Sequence, residues 1–404
     1  MARFLFGWEL GGNFGHMTTF NGIARELSQR GHDVYVALQN LQEAAPFFDG
    51  ANIHYLQSPV ASKQYPAVNP KSLSYSHVIE RSGFMNANEL STLVRGWREL
   101  YSLVAPEVTI LNAPPVSLLA ARQRNFTLAT IGPGYHYPPR TVPLPPFFPD
   151  QPDDTGILLQ EEKLLRVINE TMARLQLPKV EALRDLFDVD HQFLTTFQEL
   201  DHFPGREGAT YYGAQFSLTD GAAIPWPEPG TGPGEDKRIF VYARPKSGHF
   251  KPLLNALKQV PMRCIVAAPG ISAADMQALS APHVRIHPGS VRLAEIRSQC
   301  DLAISAGGHG TMAAFLLSGV PLILLPNHTE QLMGARAAVQ TGAAVMPKRG
   351  QPPQFLPMIR DVISQPRFRH RAQSFADKYK DFQVDTQSTV IANELEAMAA
   401  SRSS

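Results

Sequence analysis

A glycine-rich turn is the part of the sequence best suited to chemistry. Ser305-Ala-Gly-Gly-His-Gly-Thr311 follows an apolar strand pattern at 302–305 and precedes a helical pattern that starts near Thr311. Glycines in a strand-to-helix turn let the main chain approach a ligand closely, and the free amides and positive dipole end of a helix attract phosphate. The turn therefore predicts a phosphate site, with tight packing of the chain as the alternative explanation of its glycines.

The same turn fits a dinucleotide-binding fingerprint. Gly308-His-Gly310-Thr-Met-Ala313 satisfies G-x-G-x-x-A, and Glu330 follows about twenty residues later, where the acid that binds a ribose is expected. That fingerprint belongs to the first βα turn of its domain. Several βα units precede it here, which argues against a dinucleotide.

His16 is the histidine best placed for acid–base chemistry. It follows the first apolar run, 3–6, in a loop that also holds Glu9. Imidazole exchanges protons near neutral pH. A single histidine is more often structural, so its position alone leaves both roles open.

The elements that must position these residues alternate between strand and helix. An apolar run at 3–6, helical spacing at 20–27 and a second run at 34–38 form a βαβ unit, which implies a parallel sheet. Similar patterns occupy 108–111, 118–122, 127–131 and 158–175, and further strands are predicted at 239–242, 264–267, 284–286, 302–305 and 322–325. We therefore predict an α/β fold with two doubly wound, Rossmann-like domains that face each other across a cleft.

Proline and glycine mark the boundaries. The stretch 216–236, densest in both residues from Pro225 to Asp236, is the predicted linker. It separates an N-terminal domain, 1–215, from a C-terminal domain, 237–374, and a helical segment, 375–404, is expected to return to the first domain. A second proline-dense stretch, 132–152, predicts a long fixed loop.

Composition excludes several classes of protein. The 404 residues are 44% hydrophobic and 18% charged, with a net charge of +1, which is typical of a globular protein and offers no broad basic surface for nucleic acid. Glycines and a proline interrupt the most apolar stretch, 302–326, so no membrane span is predicted, and peripheral membrane contact stays open. The early Glu9 disfavours a signal peptide, and two cysteines without nearby metal ligands favour the cytoplasm.

An ordered series of motifs resembles inverting glycosyltransferases of the GT-B fold, the family of plant flavonoid and bacterial antibiotic glycosyltransferases. The resemblance runs from Phe4 to about Ala344. It is carried by Gly15-His16, Arg30-Gly-His-Asp-Val34, Gly307-Gly-His-Gly-Thr311, Gly319-Val-Pro321 and Pro326-Asn-His-Thr-Glu-Gln331.

The resemblance implies a role for each matching position. The turn from Gly307 through Gly308, His309 and Gly310 to Thr311 would hold the diphosphate of a UDP-sugar or TDP-sugar, chiefly through main-chain amides. Glu330 and Gln331 would bind hydroxyls of the sugar. The stretch 287–291, with Ser290 and Val291, lies where the family contacts the nucleobase. His16 would be the general base, oriented by the residue at position 112.

Three positions depart from the family pattern. Asn112 replaces the aspartate that orients the histidine, and Glu9 is a candidate substitute. Ala306 replaces a histidine that contacts the diphosphate, a loss for which the neighbouring His309 either compensates or simply packs. Ala314 replaces a glutamate that holds the ribose, which leaves TDP-sugars open beside UDP-sugars, with uridine slightly preferred as the commoner donor in the family.

The acceptor is expected to be an apolar or aromatic small molecule. The proline-rich loop carries Tyr135, Tyr137, Phe147 and Phe148, and Tyr65 and Tyr75 are further candidates. These rings offer rigid aromatic surface, with anchoring of the loop as the alternative. The active site is expected between the domains.

No metal ion or cofactor is expected beyond the sugar nucleotide itself. The acidic pair Asp188 and Asp190 follows a helical pattern at 180–187, far along the chain from the glycine turn. We interpret the pair as a solvated helix end. We expect a metal-independent hexosyltransferase that is a monomer or homodimer. The alternatives are a sugar-nucleotide epimerase or hydrolase of the same fold, and a catalytically silent binding partner.

Overall fold

The computed structural model describes the chain except residues 12–14, 44, 62–71, 230–233, 235, 349 and 404, and except the side chains of 15, 16, 43, 45, 46 and 403. The chain forms two compact units. Unit 1 comprises Met1–Phe197, Gly205–Gln215 and Gln383–Ser404, and unit 2 comprises Gln198–Pro204 and Phe216–Phe382.

Unit 1 is built on a six-stranded parallel sheet. Its strands are β1 (Arg3–Trp8), β2 (Asp33–Leu38), β3 (Ile53–Gln57), β4 (Val108–Asn112), β5 (Thr127–Gly132) and β6 (His191–Leu194). Its helices are α1 (Gly15–Gln29), α2 (Ala45–Phe48), α3 (Tyr75–Glu80), α4 (Ala87–Val104), α5 (Pro115–Ala120), α6 (Asp154–Arg174) and, from the C-terminal end, α14 (Gln387–Ser403). The strand order is β3-β2-β1-β4-β5-β6.

Unit 2 repeats this order. Its strands are β7 (Arg238–Tyr242), β8 (Arg263–Ala267), β9 (Val284–His287), β10 (Leu302–Ser305), β11 (Leu322–Leu324) and β12 (Ala344–Val345). Its helices are α7 (Phe250–Leu257), α8 (Ala273–Leu279), α9 (Leu293–Arg297), α10 (His309–Leu316), α11 (Thr329–Gln340), α12 (Phe355–Ser364) and α13 (Pro366–Lys378). The order β12-β11-β10-β7-β8-β9 reverses direction between β7 and β10, where an open α/β sheet binds its ligand.

Apolar runs become the central strands because helices cover both faces of each sheet. Phe4, Leu5 and Phe6 of β1 are all fully buried, as a parallel strand requires. The face that α1 covers also contacts Ile391 and Leu395 of α14, so the C-terminal helix completes the core of unit 1.

The prediction of two doubly wound α/β sheets is confirmed. The sequence patterns missed β3, β6 and β12, which are short strands at the edges of the two sheets. β3 and β6 mix polar with apolar residues, and β12 is only two residues long. The helical pattern at 180–187 is only a 3₁₀ turn, Leu183–Phe187. The helix expected near Thr311 begins two residues earlier, at His309, because Gly308 serves as its N-cap.

The C-terminal stretch 375–404 is divided between the units. Unit 2 continues to Phe382, beyond the end of α13, and α14 belongs to unit 1. Among the helices of the described residues, none combines the length and the apolar character needed to cross a bilayer.

Candidate functional site

The glycine turn of unit 2 lies at the carboxyl end of β10. Gly307 has a φ of +82°, in the left-handed region that favours glycine. Its amide donates to Ser305 Oγ at 3.2 Å, which tightens the turn. Gly308 caps α10, and its carbonyl accepts the first helical bond, from the amide of Met312 at 3.0 Å. The amides of His309, Gly310 and Thr311 therefore belong to the first turn, where a helix has no acceptors of its own.

Helix α11 packs directly behind this turn. A Cβ atom added to Gly307 would lie 3.4 Å from the main-chain oxygen of Gln331. The side-chain oxygen of Gln331 accepts from the amide of Asn327 at 3.0 Å, which closes the start of α11. The amide nitrogen of Gln331 remains available as a donor. The fold thus brings the predicted phosphate turn and the predicted sugar-binding pair together in one unit.

Glu330 has the electrostatic character of a ligand-binding group. Its side chain forms no hydrogen bond or ion pair with any described residue, and burial alone raises the pKa of its carboxyl to about 7. A carboxylate withdrawn from water without a partner is costly. Perturbed carboxyl groups of this kind are more frequent at functional sites than elsewhere.

His309 packs against protein rather than facing solvent. Both of its ring nitrogens are buried and have no hydrogen-bond partner among the described residues. Its ring centroid lies 5.8 Å from that of His202, a neighbour that the sequence patterns missed. Burial, reinforced by His202 and opposed by Asp201, lowers the pKa of His309 to about 3, so the ring is neutral. This burial favours the packing role for the ring, and phosphate contact through the main-chain amide stays a prediction.

Two of the positions that depart from the glycosyltransferase pattern, 306 and 314, also lie in unit 2. Ala306 is half-buried at the start of the turn, and Ala314 is fully buried in α10. Neither methyl group can hydrogen-bond a diphosphate or a ribose. At these two positions only the main chain can make such a contact.

The residues predicted to contact the nucleobase lie beyond the end of β9. Ser290 is exposed, whereas only 5% of Val291 is exposed. Both follow His287, the last residue of β9, and precede α9. The carboxyl ends of parallel strands share one edge of a sheet, so this stretch and the glycine turn lie along the same edge of unit 2.

The predicted catalytic residues of unit 1 occupy the carboxyl edge of its sheet. His16 is the second residue of α1, and its side chain lies outside the described residues. Asn112 ends β4, where it pairs in register with Trp8, and it is buried. The roles assigned to both stay predictions.

The carboxylate of Glu9 already has hydrogen-bond partners within unit 1. Glu9 is buried, and its carboxylate accepts from the amides of Val116 at 3.0 Å and Ser117 at 2.6 Å. Burial raises the pKa of Glu9 to about 7, although these hydrogen bonds oppose the shift. Both carboxylate oxygens hold the first turn of α5, which favours a structural role over that of a substitute acid.

The aromatic rings of the proline-rich loop turn inward. Tyr137 and Phe147 are 1% exposed, Tyr135 is 6% exposed and Phe148 is 8% exposed. Tyr135 stacks on Phe147 with centroids 5.4 Å apart and meets Tyr75 edge to face at 5.8 Å. This burial favours anchoring of the loop, and direct contact with an acceptor stays a prediction. Tyr65 lies outside the described residues.

Tyr137 makes the most extensive of these loop contacts. Its hydroxyl lies 2.8 Å from the carbonyl of Leu111 and 2.9 Å from that of Ile131, and it accepts from the amide of Ala113 at 3.1 Å. One side chain thereby joins the ends of β4 and β5. The sequence offered no signal for this role, because the three partners are scattered along the chain.

The acidic pair near residue 190 is engaged with arginines. Asp188 pairs with Arg140 at 2.6 Å, and Asp190 pairs with Arg124 at 3.0 Å. Asp190 also accepts from the amide of Leu128 at 2.8 Å. In the part of the chain that the structure describes, no cluster of three or more His, Cys, Asp or Glu side chains is arranged to hold a metal ion.

Part of unit 2 is similar to a known glycosyltransferase domain. Residues 273–352 match the glycosyltransferase family 28 C-terminal domain. The matched stretch contains the glycine turn, Ser290, Val291, Glu330 and Gln331. A search of curated protein sequences found no match.

Solved structures of glycosyltransferases share the fold over nearly the whole chain. CalG4, the calicheamicin glycosyltransferase, has a TM-score of 0.72 at 15% identity and covers 99% of this chain and 98% of its own. VinC in complex with DTDP has a TM-score of 0.68 at 15% identity, with 98% and 99% covered. SpnG complexed with spinosyn aglycone has a TM-score of 0.62 at 16% identity, with 98% and 100% covered. These comparisons confirm the resemblance to antibiotic glycosyltransferases and the fold of two parallel α/β sheets.

Proposed function

We propose that this protein transfers a sugar from a nucleoside diphosphate to a hydroxyl of an apolar or aromatic small molecule, with inversion at the anomeric carbon. One observation carries the proposal. The glycine turn that caps α10 packs against Gln331, the neighbour in sequence of a Glu330 carboxyl that has no partner among the described residues, and both lie in a stretch that matches a glycosyltransferase domain. A diphosphate and an adjacent sugar satisfy both features at once.

Unit 2 binds the donor in this proposal. The amides of Gly308, Gly310 and Thr311 hold the diphosphate, and the dipole of α10 stabilises the charge that grows as the sugar–oxygen bond breaks. Glu330 accepts hydrogen bonds from sugar hydroxyls, and the amide nitrogen of Gln331 donates one. Neutralisation by amides and the helix dipole makes a metal ion unnecessary.

Unit 1 supplies the general base. His16 accepts the proton of the acceptor hydroxyl while the acceptor oxygen attacks the anomeric carbon. The nucleoside diphosphate leaves from the opposite face with the bonding electron pair, which inverts the configuration. Asn112 fixes the tautomer of the imidazole but, unlike an aspartate, adds no negative charge to stabilise imidazolium.

The acceptor in this proposal is an apolar or aromatic alcohol. The proline-rich loop is held rigid by its buried rings, so the surface that it presents is preorganised. SpnG was solved with an aglycone as its ligand, which supports an apolar alcohol over a free sugar. Transfer to free sugars or polar peptides, with none to apolar alcohols, would refute this assignment.

The donor carries a pyrimidine base. Ala314 provides no carboxylate for a ribose diol, so a 2′-deoxy donor loses nothing at this position. VinC was solved with DTDP, which supports testing thymidine donors alongside the uridine donors expected from the resemblance. A competition assay between UDP and TDP decides between them.

Calorimetry with Glu330→Gln tests the donor site. Hydrogen bonds to a charged acceptor contribute about 1.5–3 kcal/mol, so we expect affinity for the sugar nucleotide to fall about tenfold or more. Affinity for the free nucleoside diphosphate should stay unchanged. Glu228→Gln makes the same change at an exposed residue of unit 2 and should leave both affinities alone. If neither UDP nor TDP binds the wild type at millimolar concentration, the site assignment is wrong.

A catalytically silent sugar-nucleotide-binding partner is the second candidate. Asn112, at a position where the resemblance implies aspartate, favours it, as do the replacements at Ala306 and Ala314. Such a protein would bind the donor without transferring the sugar. Single-turnover assays with saturating donor and a panel of apolar alcohols separate the two functions.

A further inference from the structure

Shortly after the chain re-enters unit 2 at Phe216, it pairs with the stretch that holds the predicted nucleobase contacts. The amide of Ala222 donates to the carbonyl of Ser290 at 3.0 Å, and the carbonyl of Ala222 accepts from the amide of Arg292 at 2.9 Å. Two further bonds join the same segments, from the Ala294 amide to the Leu218 carbonyl at 3.0 Å and from Arg292 Nε to the Thr219 carbonyl at 3.1 Å. We call residues 218–222 the bracing segment.

This pairing fixes the direction of the main chain of Val291. Ala222 forms a parallel bridge with Val291, bonding to the residue on each side of it. The amide and carbonyl of Val291 itself must therefore point away from the bracing segment, as in a pair of parallel strands. Neither group has a partner among the described residues, although only 5% of the residue is exposed.

A donor and an acceptor on one buried residue require a ligand or water. A nucleobase offers a matching acceptor and donor side by side along its edge. β9 and β10 are separated by three strand spacings, about 14 Å. An extended nucleoside diphosphate with its phosphates at the glycine turn can reach along the carboxyl edge towards Val291.

Gly221 makes the close approach of the bracing segment possible. Its φ is +99°, and a Cβ atom there would lie 2.7 Å from both the carbonyl carbon and the oxygen of Ser290 and 2.9 Å from the nitrogen of Val291. Real Cβ atoms do not approach main-chain atoms this closely. Any other residue at 221 must displace Ser290 and Val291 or break the pairing.

We propose that Gly221 and its bracing segment are positioning elements for the nucleobase of the donor. This inference rests on the proposed function, because it assigns Val291 to the base of a nucleoside diphosphate. The bracing segment holds the amide and carbonyl of Val291 in register with the base edge, while the glycine turn holds the phosphates independently. Base affinity and phosphate affinity are therefore set by separate parts of unit 2.

Calorimetry of UDP, TDP and inorganic pyrophosphate with Gly221→Ala tests the proposal. We expect both nucleoside diphosphates to bind about tenfold more weakly, because one or two hydrogen bonds to the base are lost. Pyrophosphate should bind as it does to the wild type, since it reaches only the glycine turn. A general loss of structure would weaken all three ligands.

Gly350→Ala is the matched control. Gly350 also has a positive φ, +77°, but nothing lies within 4 Å of its added Cβ, and it follows β12 at the opposite edge of the sheet from β9. It should cost stability without changing any of the three affinities. Arg292→Met removes the bond to the Thr219 carbonyl, together with a solvent-exposed ion pair to Glu295 at 3.8 Å, and should weaken nucleoside diphosphates about threefold. This variant keeps the test valid if Gly221→Ala does not fold.

The outcomes separate this inference from the proposed function. If the wild type binds neither UDP nor TDP, the proposed function fails and the inference fails with it. If the wild type binds them and Gly221→Ala matches Gly350→Ala in every affinity, the inference alone is refuted. Equal weakening of pyrophosphate and nucleoside diphosphates by a folded Gly221→Ala variant also refutes it, as does an Arg292→Met variant with wild-type affinities.

Discussion

Replacing Tyr137 with phenylalanine removes a single oxygen atom that holds the ends of two central strands. The hydroxyl contacts the carbonyls of Leu111 and Ile131 and accepts from the amide of Ala113. Ala113 has a φ of +48°, so the chain turns sharply just after Asn112. A water molecule cannot easily take the place of the lost hydroxyl, because Tyr137 is only 1% exposed.

The expected loss of stability follows from these contacts. The donated hydrogen bond contributes about 0.5–1.5 kcal/mol, and a buried amide left without an acceptor costs about 1–3 kcal/mol. We expect Tyr137→Phe to lower the free energy of unfolding by about 2–3 kcal/mol. Tyr101→Phe is the matched control, since its hydroxyl donates only to the Ser117 carbonyl, which also accepts from the Ala121 amide. That variant should lose about 1 kcal/mol.

Urea denaturation measures the loss, and amide hydrogen exchange locates it. The Ala113 amide should exchange faster in Tyr137→Phe and at the wild-type rate in Tyr101→Phe. Acceptor KM should change little, because the ring remains in place. Wild-type stability together with a raised acceptor KM would refute the anchoring role and show that Tyr137 contacts the acceptor.

Two further predictions concern catalysis and pH. His16→Ala should slow single-turnover transfer by about 10²–10⁴-fold with donor affinity unchanged, and Asn112→Ala should slow it less, whereas Asn112→Asp should raise turnover at neutral pH. A folded His16→Ala variant that transfers at the wild-type rate would place the base elsewhere. Glu330→Gln should raise the melting temperature at pH 8 but not at pH 4.5. Folding raises the pKa of the Glu330 carboxyl from 4.5 to about 7, so the folded wild type loses stability as pH rises through that range and the carboxyl ionises. Glutamine cannot ionise, so the variant avoids this loss. Glu9, which shifts in the same direction, is present in both proteins and cancels; an equal gain at both pH values would contradict the electrostatic explanation.

The sequence by itself determined the central strands and the glycine turn. Strands such as β1 and β10 are buried on both faces, so they appear as continuous apolar runs that need no tertiary information. The turn is recognisable because its glycines adjoin a strand and a helix within a few residues. The ordered series of motifs along the sequence also indicates the fold and the kind of enzyme, without any knowledge of tertiary contacts.

The tertiary structure alone decided which polar groups are engaged and which are free. Glu9 binds amides 107 and 108 residues away in sequence, and Gly221 contacts Ser290, which also lies far from it in sequence. The rings of the proline-rich loop turn inward although no periodicity marks them as core. Periodic patterns report local geometry, whereas these contacts depend on the order in which strands assemble into a sheet. Strand order brings residues from distant parts of the chain to one edge, and no short stretch of sequence encodes that neighbourhood.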